Sequence, residues 1–246
     1  MNDFFVVIPA RYASERLPGK PLMDIAGKTM LEHVYENACK SSAKQVVIAT
    51  EDKRIASIAG DFGADVCLTS RKHFSGTDRI AEVSEIRKWS ANQIIVNLQG
   101  DEPFMQPSLI DYCANLIGED VLMSTLASPI SSKKDIDNPN LVKVLLDKKS
   151  FALYFSRSSI PFQRSSVNLE TVLRSVFRHH GVYAYYCSVL REIVAHERPP
   201  IEVCESLEQL RALFLGVKIK VGISQDTPGL GVDTEKDLNL ARKLMS

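Results

Sequence analysis

Neither sign of charge is in surplus in this 246-residue chain: Lys plus Arg and Asp plus Glu number 30 each. General nucleic-acid binding calls for a basic excess, so that class is set aside, and any anion site must be a local cluster. No apolar run approaches the ~18 residues of a membrane span. No basic leader precedes the first strand pattern, so a secretory signal is not expected. Cysteine is sparse and unpatterned: Cys39, Cys67, Cys113, Cys187 and Cys204 are odd in number and lack C-x-x-C spacing. They predict reduced thiols in a cytoplasmic protein, not a disulfide framework. Apolar residues make up 45% and charged residues 24%, an ordinary globular composition. The length suits one large α/β domain, or such a domain with a lobe.

What is present begins with Phe4-Phe5-Val6-Val7-Ile8-Pro9. An apolar, β-branched run of this length reads as a buried strand of a parallel sheet. Pro9 ends it, because proline donates no ladder hydrogen bond. Three cations follow in a short loop, Arg11, Arg16 and Lys20, punctuated by Pro18, Gly19 and Pro21. Loops at the carboxyl ends of parallel strands are where open α/β sheets bind ligands. Arg grips phosphate oxygens bidentately and Lys adds a point charge, so the loop reads as a polyphosphate site. It is neither a Walker A loop nor a G-x-G-x-x-G turn.

Strand and helix patterns then alternate, which predicts right-handed β-α-β crossovers. A helix is expected over 30–40 with Thr29 as N-cap and Glu32 three residues on. A strand follows at 45–50, a helix over 52–62 closed by Gly63, and a short strand at 65–68. Ser75-Gly76-Thr77-Asp78-Arg79 precedes a helix expected over 80–89. It reads either as a turn offering N–H groups to a base or phosphate, or as an ordinary N-cap. The strand at 93–98 runs into Gln99-Gly100-Asp101-Glu102-Pro103. A carboxylate at that strand end, facing the cationic loop, suits Mg²⁺; the other reading is a capping Asp for a helix starting near Pro107. Further strands are expected at 121–126, 142–146, 151–157, 178–186 and 217–223, and a solvated loop at 131–140. Arg198-Pro199-Pro200 reads as a stop. A helix over 206–215 would place Leu207, Leu210, Leu213 and Phe214 on its apolar side, with Glu208, Gln209 and Arg211 solvated. Asp233 is either the N-cap of the last helix or a second metal carboxylate near Asp101.

Seven ordered blocks carry a resemblance that spans the whole chain: IPARYASERLPGKPL, SGTDR, VNLQGDEP, ALYFSRSSIP, RHHGVYAY, ESLEQLRAL and GVDTEKDL. Together they resemble the sugar cytidylyltransferases, and within them those acting on 3-deoxy-D-manno-octulosonate (Kdo). The resemblance implies a mostly parallel central sheet flanked by helices, the nucleotide-diphospho-sugar transferase fold. It implies one domain over 1–246, with about 127–220 contributing a sugar-binding and dimerisation lobe, and a homodimer. It implies CTP and Kdo as substrates and Mg²⁺ as cofactor. Arg11, Arg16 and Lys20 would hold the CTP phosphates, and Ala10, Ser75 and Arg79 would lie at the cytosine. Asp101 and Asp233 would bind Mg²⁺ and, with Lys20, form the catalytic set. Gln99, Arg157, Arg164, His179, Tyr183, Glu208 and Gln209 would line the Kdo pocket, with Gln99 also reaching the nucleotide. The blocks depart from the family pattern at Glu15, an anion inside the phosphate loop, at His180, where an apolar residue is usual, and at Glu235-Lys236.

The implied chemistry is in-line attack of the sugar anomeric hydroxyl on the CTP α-phosphorus with loss of diphosphate. It needs charge neutralisation around the α-phosphate and no protein nucleophile. Rival readings are the same reaction on 8-amino-Kdo or a sialic acid, a glycosyltransferase, and a nucleotide sensor. The Gln99–Glu102 block lacks the Asp-x-Asp of the glycosyltransferases, and the two carboxylates argue against a sensor.

Overall fold

Val7 and Ile8 point to opposite sides of one sheet, and both sides are covered: Ile8 packs with Phe4, Val6 and Val96, Val7 with Val47, Ile80 and Ile95. That double burial is why the first strand is apolar at every position. The computed structural model describes residues 2–13, 17–73, 75–165, 167–225 and 229–245. Its strands are β1 (Phe4–Pro9), β2 (Asp24–Ile25), β3 (Lys28–Thr29), β4 (Gln45–Thr50), β5 (Asp65–Leu68), β6 (Ile94–Asn97), β7 (Met123–Pro129), β8 (Lys143–Leu146), β9 (Ala152–Ser156), β10 (Val176–Tyr186) and β11 (Ile219–Ile223). Its helices are α1 (Met30–Cys39), α2 (Lys53–Asp61), α3 (Gly76–Ile86), α4 (Pro107–Asn115), α5 (Lys133–Asp137), α6 (Leu169–Ser175), α7 (Cys187–Ala195), α8 (Pro200–Glu205), α9 (Gln209–Phe214) and α10 (Glu235–Met245).

The main sheet has the order β11-β7-β10-β6-β1-β4-β5. Pairing is parallel from β6 through β1 and β4 to β5, and again between β11 and β7. β10 runs antiparallel to both β6 and β7. Along one side of β10, β6 pairs with Tyr183–Tyr186 and β8 with Val176–Arg178. The stretch 179–182 therefore bridges two parts of the sheet. β8 continues antiparallel to β9, and a small separate core of Ile130, Ile136, Val172 and Val176 lies beside them.

Local chemistry sets several boundaries. Thr29 accepts from the Glu32 amide at 3.1 Å and so starts α1; Asp52 caps α2 by accepting from the Arg54 amide. Ser75 and Asp78 form a reciprocal capping box at α3, as the S-x-x-D spacing allows. The helix thus begins at Gly76 and not at Ile80, and the SGTDR motif is its cap and first turn. The expected loop over 131–140 contains α5, started by Ser132. The helix before Arg198-Pro199-Pro200 does end short of it, at Ala195, and Pro200 also opens α8, where its missing N–H costs nothing. The helix expected from 206 begins at Gln209; Ser206, at φ 53°, ends α8 instead. Of the side predicted to be solvated, Glu208 is exposed, but Gln209 and Arg211 are buried, whereas Phe214 is 63% exposed. An ion pair described below draws Arg211 inward. Among the described residues no helix is long and apolar enough to cross a membrane, and all five cysteines are unpaired.

Candidate active site

The carboxyl ends of β1 and β6 open into a cleft of about 300 Å³. Ala10 and Arg11 enter it from the end of β1, Lys20 from the loop beyond, Ser75 and Gly76 from the start of α3, and Gln99, Gly100 and Asp101 from the end of β6. Glu208, just before α9, and Asp233, just before α10, close it. Gly100 is needed because a Cβ there would lie 3.0 Å from the Pro9 carbonyl oxygen. A larger groove, about 740 Å³, lies between α3 and the α7–α8 connection and shares no lining residue with the cleft. It contains no comparable meeting of carboxylates around a lysine.

Lys20 is the centre of the cleft. Its Nζ lies 2.7 Å from Asp101 Oδ2 and 2.9 Å from Asp233 Oδ1. Burial works against the ammonium, yet the two carboxylates outweigh it and raise the Lys20 pKa. Asp101 caps no helix: α4 starts from Gln106, which makes no side-chain cap. Nor does Asp233 cap α10. Thr234 and Asp237 exchange the capping bonds there, which leaves the Asp233 carboxylate turned to Lys20. Two hard oxygen donors suit Mg²⁺, which takes one or two protein carboxylates and completes its shell with water and phosphate. Among the described residues no three His, Cys, Asp or Glu side chains form a metal cage. A cation is already held between these carboxylates, so the position is one where positive charge is stabilised. Next to it, burial and then the Asp101 charge push the Glu102 carboxyl up to about 8.

Arg11 donates from NH2 to the His73 carbonyl at 2.6 Å, which holds it at the cleft wall. Arg16 and Glu15 lie outside the described residues. Arg79 does not line the cleft: it is 1% exposed, ion-paired with Glu51 at 2.6 Å and bonded to Thr69. Burial lowers its pKa despite Glu51.

The expected sugar-side residues fall into four groups. Gln99 and Glu208 line the cleft. Glu208 accepts from the Thr77 hydroxyl at 2.5 Å, tying α9 to the first turn of α3; crowding by protein raises its pKa. His179 and Tyr183 lie behind this wall with ring centroids 5.4 Å apart. Tyr183 is opposite Asn97, whose Oδ1 accepts from Gln99 Nε2 at 2.8 Å. Burial pushes the His179 pKa down to about 3, so its imidazole is neutral. Gln209 is 6% exposed, and its Nε2 has no hydrogen-bond partner among the described residues. Arg157 and Arg164 are not brought to the cleft. Arg157 donates to the carbonyls of Glu205 and Pro139, and Arg164 is exposed on the loop before α6. Sequence reasoning gave no role to Glu102, Thr77 or the His73 carbonyl. The first two stood inside motif blocks, and a carbonyl leaves no mark in a sequence.

A parallel α/β sheet whose strand ends gather basic side chains around two carboxylates defines a nucleotidyltransferase. The chain matches the Cytidylyltransferase family model over residues 5–219. It is 47% identical over 247 residues to 3-deoxy-manno-octulosonate cytidylyltransferase of Vibrio campbellii, covering 99% of this chain and 98% of that one. It is 46% identical over 249 residues to the protein of the same name from Actinobacillus pleuropneumoniae, covering 99% and 100%. Among solved structures it is similar to CMP:2-keto-3-deoxy-manno-octonic acid synthetase complexed with CTP, with a TM-score of 0.90 and 40% identity over 99% of this chain and 98% of that one. A 4-diphosphocytidyl-2C-methyl-D-erythritol synthase from Anaerococcus prevotii shares the fold alone, at 11% identity and a TM-score of 0.62. The chain belongs to the cytidylyltransferase family.

Proposed function

We propose that this chain transfers the cytidylyl group of CTP to Kdo, releasing diphosphate and supplying CMP-Kdo for lipopolysaccharide biosynthesis. The observation that carries the reading is the meeting of Lys20, Asp101 and Asp233 in one cleft beside Arg11. Full-length relatives bearing the name of that activity support the choice of sugar over 8-amino-Kdo or a sialic acid.

In this reading the anomeric oxygen forms a bond to the α-phosphorus as the bond from that phosphorus to the leaving diphosphate breaks. Arg11 and Lys20 neutralise the phosphates, and Arg16 joins them. Asp101 and Asp233 would hold Mg²⁺, which would supply charge neutralisation at the α-phosphate and a lowered pKa for the attacking hydroxyl. Lys20, paired with both carboxylates here, would turn to phosphate oxygens. Ala10 and Ser75 meet the cytosine, with Arg79 supporting that wall from beneath. Gln99, His179, Tyr183, Glu208 and Gln209 shape the sugar pocket; Arg157 and Arg164 stand away from the cleft, so pairing either with the sugar carboxylate would require it to move there.

The reading includes a cytoplasmic location and a homodimer. Support for the dimer is two exposed apolar side chains, Leu153 on the edge strand β9 at 62% and Phe162 on the segment that follows it at 89%; sedimentation would measure it. The activity test is diphosphate release with Mg²⁺ and CTP, comparing Kdo, 8-amino-Kdo and N-acetylneuraminate, with UTP as nucleotide control. Release confined to CTP and Kdo is expected. Release with another sugar would overturn the sugar assignment, and none with any pair would overturn the activity.

A further inference from the structure

A row of polar side chains crosses one otherwise apolar face of the sheet. Asn97 of β6 is opposite Tyr183 of β10, and Tyr183 is opposite Thr125 of β7. Around them, Ile95, Met123, Ala127, Tyr185 and Val221 form part of a buried apolar cluster. Thr125 is fully buried, and three groups converge on its hydroxyl. Oγ1 lies 2.7 Å from the Val182 carbonyl oxygen, 3.1 Å from that of His180 and 3.0 Å from His179 Nε2.

The two carbonyls belong to an irregularity in β10. Pairing passes from His180 opposite Leu126 to Tyr183 opposite Thr125, so two residues of β10 have no counterpart on β7. The Val182 carbonyl also accepts from the Cys113 thiol at 3.9 Å, a weak donor, and a hydroxyl lone pair aimed at two buried carbonyl oxygens would be repulsive. A hydroxyl carries one proton, and carbonyls only accept. The Thr125 proton therefore goes to the bulge, with Val182 the nearer acceptor, and Oγ1 is left to accept from His179. A neutral imidazole has one N–H. With that proton on Nε2, Nδ1 is an acceptor, and Thr125 is the ring's hydrogen-bond partner among the described residues.

We propose that Thr125 is a positioning residue: it fixes the Nε2–H tautomer of His179, so that Nδ1 accepts a hydrogen bond from a sugar hydroxyl. The second half rests on the reading of His179 as part of the sugar pocket. The contacts that lead there run from His179 to Tyr183, Asn97 and Gln99 at the cleft wall. A sugar acid is rich in hydroxyl donors, and an acceptor held in one tautomer discriminates among their positions where a rotating or tautomerising one does not.

The test begins with the unaltered protein. ¹⁵N-labelled histidine spectra, assigned with His179→Gln, are expected to show the Nε2–H pattern for His179. Thr125→Val keeps the shape and removes the hydroxyl. It is expected to lose that pattern and raise KM for Kdo about tenfold, with kcat and KM for CTP little changed. Thr125→Ser restores both, which a purely structural loss would not do. An Nδ1–H pattern in the unaltered protein overturns the proposal without any variant having to fold. So does Thr125→Val with an unchanged His179 spectrum or unchanged KM for Kdo. Absence of turnover by the unaltered protein with CTP and Kdo is a separate result: it removes the sugar reading, and with it the second half of the proposal, whatever tautomer is seen.

Discussion

Lys20 Nζ donates to Asp101 Oδ2 across 2.7 Å, although 81 residues separate them in the chain. The contact joins the loop after β1 to the end of β6, so the lysine proposed for phosphate and the carboxylate proposed for metal are built as one unit. Asp101→Asn removes the charge and keeps the shape. Lys20 retains Asp233, so the fold is expected to survive with a thermal midpoint near that of the unaltered protein. Diphosphate release is expected to fall at least about a hundredfold, since even partners behind a metal ligand cost 10–100-fold when lost. A fully active Asp101→Asn enzyme would take this carboxylate out of the reaction.

Glu102 supplies a pH dependence. Its folded-state pKa of about 8 lies above the ordinary 4.5, first because it is buried and then because Asp101 is charged. The unfolded chain loses this proton near pH 4.5, while the folded chain keeps it to about 8. Between those values the folded state binds more protons, so Glu102 makes stability fall as pH rises. Glu102→Gln is expected to flatten that slope and to gain most at the alkaline end. Urea midpoints measured in chelator across the window read it; parallel curves for the two proteins would contradict the assignment.

His180 is a polar residue in an apolar place. It is 5% exposed, and its Nε2 has no hydrogen-bond partner among the described residues. Burial and then Arg178 push its pKa down to about 3 from 6.5. The unfolded chain takes up a proton as pH falls through 6.5 and the folded chain does not, so this stability contribution is lost from there down to about 3. His180→Leu is expected to stabilise by about 1 kcal/mol, or ~2–4 °C, by removing an unpaired buried polar atom. It is also expected to shallow the acid limb of the stability curve. A lower midpoint for His180→Leu at neutral pH would show that the imidazole is satisfied.

What could be read from the sequence follows from how local each signal is. Thr29 and Glu32 and the run Phe4–Pro9 are neighbours in the chain, and their elements form where those residues predict them. Ser75 and Asp78 are neighbours too and do form a cap, although the helix begins at Gly76 and not at the expected Ile80. The carboxylates Asp101 and Asp233 were legible as candidates because strand ends and helix starts are local features; their grouping with Lys20 came from the resemblance, and the direct ion pairs of Lys20 with both came only from the structure. Thr125 gave no signal beyond being one of several hydroxyl residues, with Ser124 and Ser128, in a strand that proves buried. The bulge that gives it a task depends on the pairing of β7 with β10. Periodicity also misplaced Arg211, because an amphipathic pattern assigns charge to solvent and cannot see a carboxylate waiting inside.

That carboxylate is Glu202. Arg211 donates from Nε to Oε2 at 2.7 Å and from NH2 to Oε1 at 2.8 Å, a two-bond pair between side chains 5% and 1% exposed. Arg198 adds a third bond to Oε1 from the surface. The pair joins α8 to α9, and α9 follows directly from Glu208 at the cleft. Burial works against the Glu202 charge, but the two arginines outweigh it and lower its pKa. Its contribution is therefore present above the ordinary 4.5 and lost as pH falls through the depressed value. Glu202→Gln leaves the Arg211 charge buried with Asp78 as its other acid, at 3.8 Å. Breaking one side of a buried pair costs about 3–5 kcal/mol, roughly 10 °C for a chain of this size. Because Glu208 and Gln209 move with α9, KM for the sugar is expected to rise even where the variant remains folded. The double change Glu202→Leu with Arg211→Met removes both charges and is expected to regain most of the lost midpoint. If it regained the midpoint without regaining KM, the ion pair would be orienting α9 beyond holding it in place; recovery of both would reduce its role to packing.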